Sequence, residues 1–372
     1  MKRERAMKKR LLIVTNHSYM FWQFRKELVE ALQKEHEVIL AMPFVGHEED
    51  FRKMGIECIP VSMNRRGVNP FAEAKLLRDY KRLLQKISPD FVLTYSIKPN
   101  IYMGLLCSCK KIPYYANVQG LGTAFQKPVL AGFVTVLYRI AFRKVKYVFF
   151  ENKENAREFG ERNIVSADRQ VVLPGAGINL EKYKMEPYPN HSCVHFLYLG
   201  RIMKEKGIED AVRAVCEINS MHSDIFAELD IYGQIEDNQE EWLKKLQTLA
   251  PGYIKYKGMV PFSQSTKVLK EYDALLFPTY YEGEGFAGTI IDAFAAGLPV
   301  IASDWKYNSE IIKSGMTGVI FKTHSINELK NAIISIDKDI KKWNLMRQNC
   351  ISEAKRYLPA NAMKKLIDIV NG

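Results

Sequence analysis

Short apolar, β-branched or aromatic runs recur along this 372-residue chain, separated by longer stretches with helical spacing. In the first half they are LLIVT (11–15), EVILAM (37–42), DFVLTY (90–95), PYYANV (113–118), KYVFF (146–150) and QVVLP (170–174). In the second half they are HFLYLG (195–200), LDIYG (229–233), YIKYKG (253–258), ALLFP (274–278), PVIAS (299–303) and GVIF (318–321). β-Branched and aromatic residues fill most of them. Strands of this kind are buried on both faces, which requires parallel sheets covered by helices on each side. The series runs twice, and KMEPYPNHSC (184–193) between the two sets, with two prolines, reads as a linker. The expected fold is therefore α/β, with two doubly wound, Rossmann-like domains at 1–187 and 188–372. Ligands of such sheets bind beyond the carboxyl ends of the strands, so a cleft between two facing domains is the expected active site. The closing RYLPANAMKKLIDIVNG reads as a terminal helix that can pack back on either domain, including the N-terminal one.

Charge distribution narrows the partners. Residues 1–187 hold 32 Lys and Arg against 19 Asp and Glu, whereas 188–372 hold 22 against 23. Residues 101–150 contain seven basic residues and no acid. That asymmetry points to an anionic partner for the first half: a membrane surface, a phosphorylated substrate or a nucleic acid. No apolar run approaches the ~18 residues of a membrane-spanning helix. The basic start, MKRERAMKKR, leads into an apolar run too short for a signal peptide and reads as a polar tail entering the first strand. Six scattered cysteines (58, 107, 109, 193, 216 and 350) form no C-x-x-C pair, so a disulfide framework or zinc site is not expected and a reducing cytoplasm is.

The stretch EGEGFAGTIIDAFAAGLPVIASD (282–304) follows the ALLFP strand. Glycines make a tight turn, TIIDAFA has helical apolar spacing, and Gly297 is placed to end the helix. Glu284 is then expected in the loop and Asp292 about two turns into the helix. A helix start at Phe286–Thr289 offers backbone N–H groups to phosphate, and Gly285 and Gly288 allow close approach. The carboxylates on either side suit sugar and ribose hydroxyls. A second block, FLYLGRIMKEKGIEDAVRA (196–214), is a strand, a glycine turn and a helix, with Arg201 and Lys206 beside the turn. Two cations there suit a diphosphate.

These pieces in series resemble the retaining glycosyltransferases of family 4, which have the GT-B fold. The resemblance covers most of the second half in order: G-R-x-x-x-x-K-G at 200–207, LDIYG, YIKYKGMV, ALLFPTYYEGEGF and AAGLPVIASD. It implies a donor site of Gly200, Arg201, Lys206, Glu284, Gly285, Phe286, Ala287, Gly288, Thr289 and Asp292. Glu284, Arg201 and Lys206 would be the catalytic set. Glu284 would face the donor sugar, Arg201 and Lys206 would neutralise the diphosphate, and Asp292 would hold ribose. The family's Glu-x7-Glu pattern here ends in Asp292, one methylene shorter. The resemblance implies a nucleotide-sugar co-substrate, UDP-linked by expectation, and no metal cofactor. The D-x-D at Asp337-Lys338-Asp339 reads as solvated surface. Glu284→Gln is expected to abolish transfer with little loss of folding.

In the first half, SIKPNIYMG (96–104) and VQGLGTAF (118–125) resemble the subset that extends polyprenyl-diphosphate-linked glycans for capsule or O-antigen. The acceptor residues this implies are Asn16, His17, Lys98, Gln119, Gly120 and Gly122. Asn16-His17-Ser18 stands where many relatives carry a Gly-Gly turn. QKPVLAGFVTVLYRIAFRKVKYVFF (126–150) is apolar, aromatic and basic, the composition of a helix on an anionic membrane. The expected protein is thus a hexosyl- or N-acetylhexosaminyltransferase, peripheral on the cytoplasmic face of the membrane, with no nucleic acid partner. A sugar-nucleotide 2-epimerase of the same fold, and a non-catalytic basic protein binding membrane or nucleic acid, are the competing readings.

Overall fold

The computed structural model describes residues 8–372 apart from 65–68, 123–124, 126–127, 176, 181–182, 184–192, 237, 250–251, 261, 285–286 and 339. The linker read at 184–193 therefore lies almost entirely outside the described residues. The chain divides into two compact units, Met1–Gly177 with Pro359–Gly372, and Ile178–Leu358.

The first unit holds β1 (Lys9–Val14), β2 (His36–Met42), β3 (Glu57–Pro60), β4 (Phe91–Tyr95), β5 (Tyr114–Val118), β6 (Val148–Phe150) and β7 (Gln170–Val172). They form one parallel sheet in the order β3-β2-β1-β4-β5-β6-β7. The physical reason is visible in β1. Leu12 and Val14 enter the core on one face, with Tyr80 and Tyr138. Leu11 and Ile13 enter the core on the other, with Leu28 and Phe51. Each such side chain contributes roughly 1.5–3 kcal/mol on burial, a gain available on both faces only if helices cover both. The sequence reading missed β3. This four-residue strand begins with Glu57 and ends with Pro60, and its place at the sheet edge tolerates both.

The second unit repeats the plan with β8 (Val194–Leu199), β9 (Ala227–Tyr232), β10 (Ile254–Gly258), β11 (Ala274–Phe277), β12 (Val300–Ser303) and β13 (Gly318–Phe321). Its parallel order is β10-β9-β8-β11-β12-β13. In both sheets the chain runs outward from the first strand, then returns to that strand's other side. This reversal opens a crevice at the carboxyl ends of β1 and β4, and of β8 and β11.

Residues 359–372 belong with the first unit. The helix Lys364–Asn371 places Leu366 and Val370, with Met363 before them, in the core that contains Leu28 and Leu32. His36 at the start of β2 meets the helix end, Nε2 to Asn371 Oδ1 at 2.9 Å.

Candidate active site

In the second unit the chain leaves β8 through Gly200 and Arg201, and Ile202 bridges to Ile235. The carbonyl of Gly200 packs so closely on Gly233 that a Cβ there would lie 1.6 Å from it. The turn Lys204–Lys206 ends at Gly207, which has φ +72°. A Cβ on Gly207 would come within 2.0 Å of the Pro278 carbonyl oxygen. The Tyr280 N–H donates to the Glu205 carbonyl at 2.8 Å. The glycine and this bond dock the turn against the carboxyl end of β11, on the β8/β11 crevice.

Docking sends Lys206 inward, its Nζ 5.5 Å from the Phe277 ring centre and 5.6 Å from that of Tyr281. Nζ donates to both carboxylate oxygens of Glu284, at 2.8 and 2.5 Å. Thr279 Oγ1 donates to the same carboxylate at 2.8 Å. The side chains of Lys206 and Glu284 are each only 9% exposed. Burial pulls the Lys206 pKa below its ordinary value, and the attraction of Glu284 opposes that. Arg201 lies at the rim with its guanidinium 4.9 Å from the Tyr281 ring centre and Nη1 3.4 Å from Glu236. The three expected catalytic side chains are thus gathered at one strand end. Glu284 is the counter-ion of a buried lysine, which argues against the expectation that Glu284→Gln costs little folding and leaves the expected loss of transfer as it stood.

The helix after this loop spans Gly288–Ala295. It begins within the expected Phe286–Thr289, and Asp292 sits about one turn in rather than two. Ala287 caps it without a side-chain hydrogen bond. The first-turn N–H groups, which have no partner within a helix, start at Gly288 and Thr289. A Cβ on Gly288 would meet nothing within 4 Å among the described residues. Gly297, at φ +71°, closes the helix in the left-handed conformation, as its sequence predicts. Gly285 and Phe286 lie outside the described residues. Asp292 accepts the Tyr183 hydroxyl on Oδ1 at 2.8 Å. Sequence reading passed over Tyr183, Thr279 and Tyr281. Of these, Thr279 and Tyr281 carried a usable signal, since both follow a buried strand at its carboxyl end.

The first unit has a pocket of about 180 Å³ at the carboxyl ends of β1, β4 and β5. It brings together Asn16, Lys98, Gln119 and Gly120 of the expected acceptor residues and adds Met63, Ser96 and Tyr138. Lys98 Nζ pairs with the Glu73 carboxylate. Ser96 holds φ +72° and ψ 158°, a conformation that ordinary residues avoid. Asn100 Nδ2 donates to the Asn117 carbonyl at 2.9 Å, fixing the end of β5 beneath the pocket. His17 and Gly122 are not in the lining. His17 instead caps the helix Ser18–Glu35, its side chain accepting from the Met20 N–H.

Of the D-x-D, Asp337 and Lys338 close the helix Ile326–Lys338 and Asp339 lies outside the described residues. Cys193, His195 and Glu228 hold ligand atoms within 4.8 Å of one another, a grouping the sequence reading did not foresee. They lie at the amino ends of β8 and β9, opposite the β8/β11 crevice, and Glu228 also takes Lys255 at 2.8 Å.

Two doubly wound units, with a buried cation–carboxylate pair beside a helix start at one switch point, define the GT-B class of glycosyltransferases. The family described as Glycosyl transferases group 1 matches residues 189–357, and Glycosyl transferase 4-like matches residues 10–152. The N,N'-diacetylbacillosaminyl-diphospho-undecaprenol alpha-1,3-N-acetylgalactosaminyltransferase of Campylobacter jejuni is 24% identical, over 90% of this chain and 91% of its own. The UDP-Gal:alpha-D-GlcNAc-diphosphoundecaprenol alpha-1,3-galactosyltransferase of Escherichia coli is 22% identical, over 77% of this chain and 76% of its own. Among solved structures, Anabaena HepE in complex with UDP superposes with a TM-score of 0.75 at 13% identity, covering 98% of this chain and 99% of that one. A glycosyltransferase from Rickettsia africae gives 0.78 at 17% identity, covering 97% of each chain. The protein is a glycosyltransferase of the family 4 type.

Proposed function

We propose that the protein is a retaining transferase that moves a sugar from UDP to a polyprenyl-diphosphate-linked glycan, working peripherally on the cytoplasmic face of a membrane. The observation that carries this reading is the Lys206–Glu284 pair, with Arg201 at its rim, beside the start of the helix Gly288–Ala295, which Ala287 caps without a side-chain hydrogen bond. Breaking a sugar–phosphate bond builds negative charge on the departing diphosphate and positive charge on the sugar. Arg201, Lys206 and the first-turn N–H groups are cationic or dipolar donors held in advance for that negative charge, which lowers the barrier without reorganisation. Glu284 supplies negative charge where the sugar becomes cationic and holds Lys206 in place. On this reading no metal is needed, and the acceptor hydroxyl attacks from the leaving-group face with the departing phosphate taking its proton. Asp292 holds the ribose, sharing its carboxylate with Tyr183 or displacing that hydroxyl. The names of the Campylobacter and Escherichia relatives support the lipid-diphosphate acceptor, and the UDP in the HepE complex supports the base. The pocket bearing Lys98 and Gln119 is then the acceptor subsite.

The test is a thermal-shift titration with UDP, GDP, ADP and CMP on the wild type and Arg201→Ala. A ligand that binds only the native state at about 100 times its Kd stabilises by about 2.7 kcal/mol. UDP is expected to raise the melting temperature, and Arg201→Ala, a half-exposed residue whose loss leaves the core intact, to cancel most of the rise. A wild type that responds to no diphosphate would sink the proposal. Conversion of UDP-sugar to its 2-epimer without transfer would favour the epimerase.

A further inference from the structure

The helix Pro128–Ala141 turns Ala131, Val134, Thr135, Tyr138 and Ala141 into the core. Its opposite side is apolar as well. Val129 is 90% exposed, Phe133 61%, Val136 50% and Ile140 53%. At about 100° per residue these four side chains fall within an arc of about 60°, forming one stripe along the helix. Gly132 lies beside the stripe, with no atom within 4 Å of where its Cβ would be. A contiguous exposed apolar stripe is uncommon on a soluble protein and marks a surface that is covered when the protein works.

What covers it is indicated by charge. Arg139, Arg143, Lys144 and Lys146 are exposed at the C-terminal end of the helix and in the turn after it. Arg139 donates to the Arg162 carbonyl and Lys144 to the Ser108 carbonyl, bonds that anchor the side chains on neutral acceptors. No acid occurs anywhere in residues 101–150. A stripe of Val, Phe and Ile running into a cluster of cations, with no carboxylate in the segment, matches a phospholipid surface. The apolar groups reach the acyl boundary while the cations meet phosphates. No helix among the described residues is long and apolar enough to cross a membrane, so this helix would lie along the surface.

We propose that the exposed face of the helix Pro128–Ala141 docks on an anionic bilayer, with Val129, Phe133, Val136 and Ile140 entering the headgroup region. This rests on the lipid-linked acceptor of the proposed function and names the surface that brings the first unit to it. Docking then has two components: a cationic one that salt weakens and an apolar one that salt spares.

The test is co-sedimentation of the full chain with vesicles of mixed phosphatidylglycerol and phosphatidylcholine, and with phosphatidylcholine alone, at low and high salt. Wild type is expected to bind the anionic vesicles and to keep a bound fraction at high salt. Phe133→Ser with Ile140→Ser should weaken binding about tenfold and abolish the salt-resistant fraction. Arg143→Ser with Lys144→Ser should remove mainly the salt-sensitive part. All four substituted side chains are surface groups, so melting temperature and its response to UDP should not change. Equal vesicle binding by wild type and the Phe133/Ile140 variant would overturn the inference. So would light scattering that finds a dimer abolished by that variant, which would make a second copy the occupant. The UDP response, read on the same samples, separates the two proposals. A protein that responds to UDP but ignores the stripe substitutions refutes the docking surface alone.

Discussion

Lys206 and Glu284 are each other's principal charge partner in a nearly closed setting. Removing one member of such a pair leaves the other buried and uncompensated, at a cost of roughly 3–5 kcal/mol. Glu284→Ala is therefore expected to lower stability by about that amount at neutral pH. Glu284→Gln keeps an acceptor oxygen for Nζ and should fall between Ala and wild type. Replacing both, Lys206→Met with Glu284→Leu, should recover most of the loss while transfer stays absent. Urea unfolding midpoints would measure this. A Glu284→Ala chain as stable as wild type would show that the pair is solvated in solution. Of this arrangement, the sequence made the participants legible but not their bond. Lys206 and Glu284 are 78 positions apart, and nothing in either motif says that a lysine read as a phosphate ligand is held by the carboxylate read as facing the sugar.

At the scale of elements, two glycines from the same two motifs carry different constraints. Gly207 is left-handed and pressed on Pro278, whereas a Cβ on Gly288 would meet nothing within 4 Å among the described residues. Gly207→Ala must move backbone at the end of β11 and strain φ, for which about 1–2 kcal/mol is the conformational part alone. It should lower the melting temperature, loosen the bond from Tyr280 to Glu205, and abolish the response to UDP. Gly288→Ala should leave the melting temperature close to wild type. Equal melting temperatures for the two variants would refute this reading of the turn. The elements themselves were largely legible, because strands buried on both faces cannot hide their composition. The exception, β3, is an edge strand of four residues whose Glu57 and Pro60 obscure the pattern. The helix start was legible only as a range, Phe286–Thr289, which contains Gly288, since closely spaced glycines do not say where the hydrogen-bond ladder begins.

For the whole molecule, the return of residues 359–372 to the first unit joins the two ends of the chain in one core. His36 is part of that junction. Its Nε2 faces Asn371 Oδ1, and its Nδ1 is buried without a partner among the described residues, so the neutral ring with the proton on Nε2 fits best. Burial holds its pKa below the usual 6.5, against the opposing bond to Asn371. The unfolded chain therefore takes up this proton first as pH falls. The stability due to neutral His36 is complete above about pH 6.5, declines as pH drops through that value, and levels off below the lowered folded-state pKa. Between pH 8 and pH 5, wild type should lose more stability than His36→Gln. Parallel unfolding midpoints across that range would contradict it.

By itself the sequence determined the two parallel sheets, twelve of their thirteen described strands, and the strand ends that carry the site. Apolar composition and glycine turns are local properties, and they act locally. Tertiary structure alone decided that Lys206 is neutralised by Glu284, that Tyr183 occupies Asp292 from 109 positions away, and that His17 caps a helix. It alone left the stripe on the helix Pro128–Ala141 uncovered. These outcomes depend on which distant segments meet and how much water they exclude, and a residue's own neighbours in sequence carry no record of either.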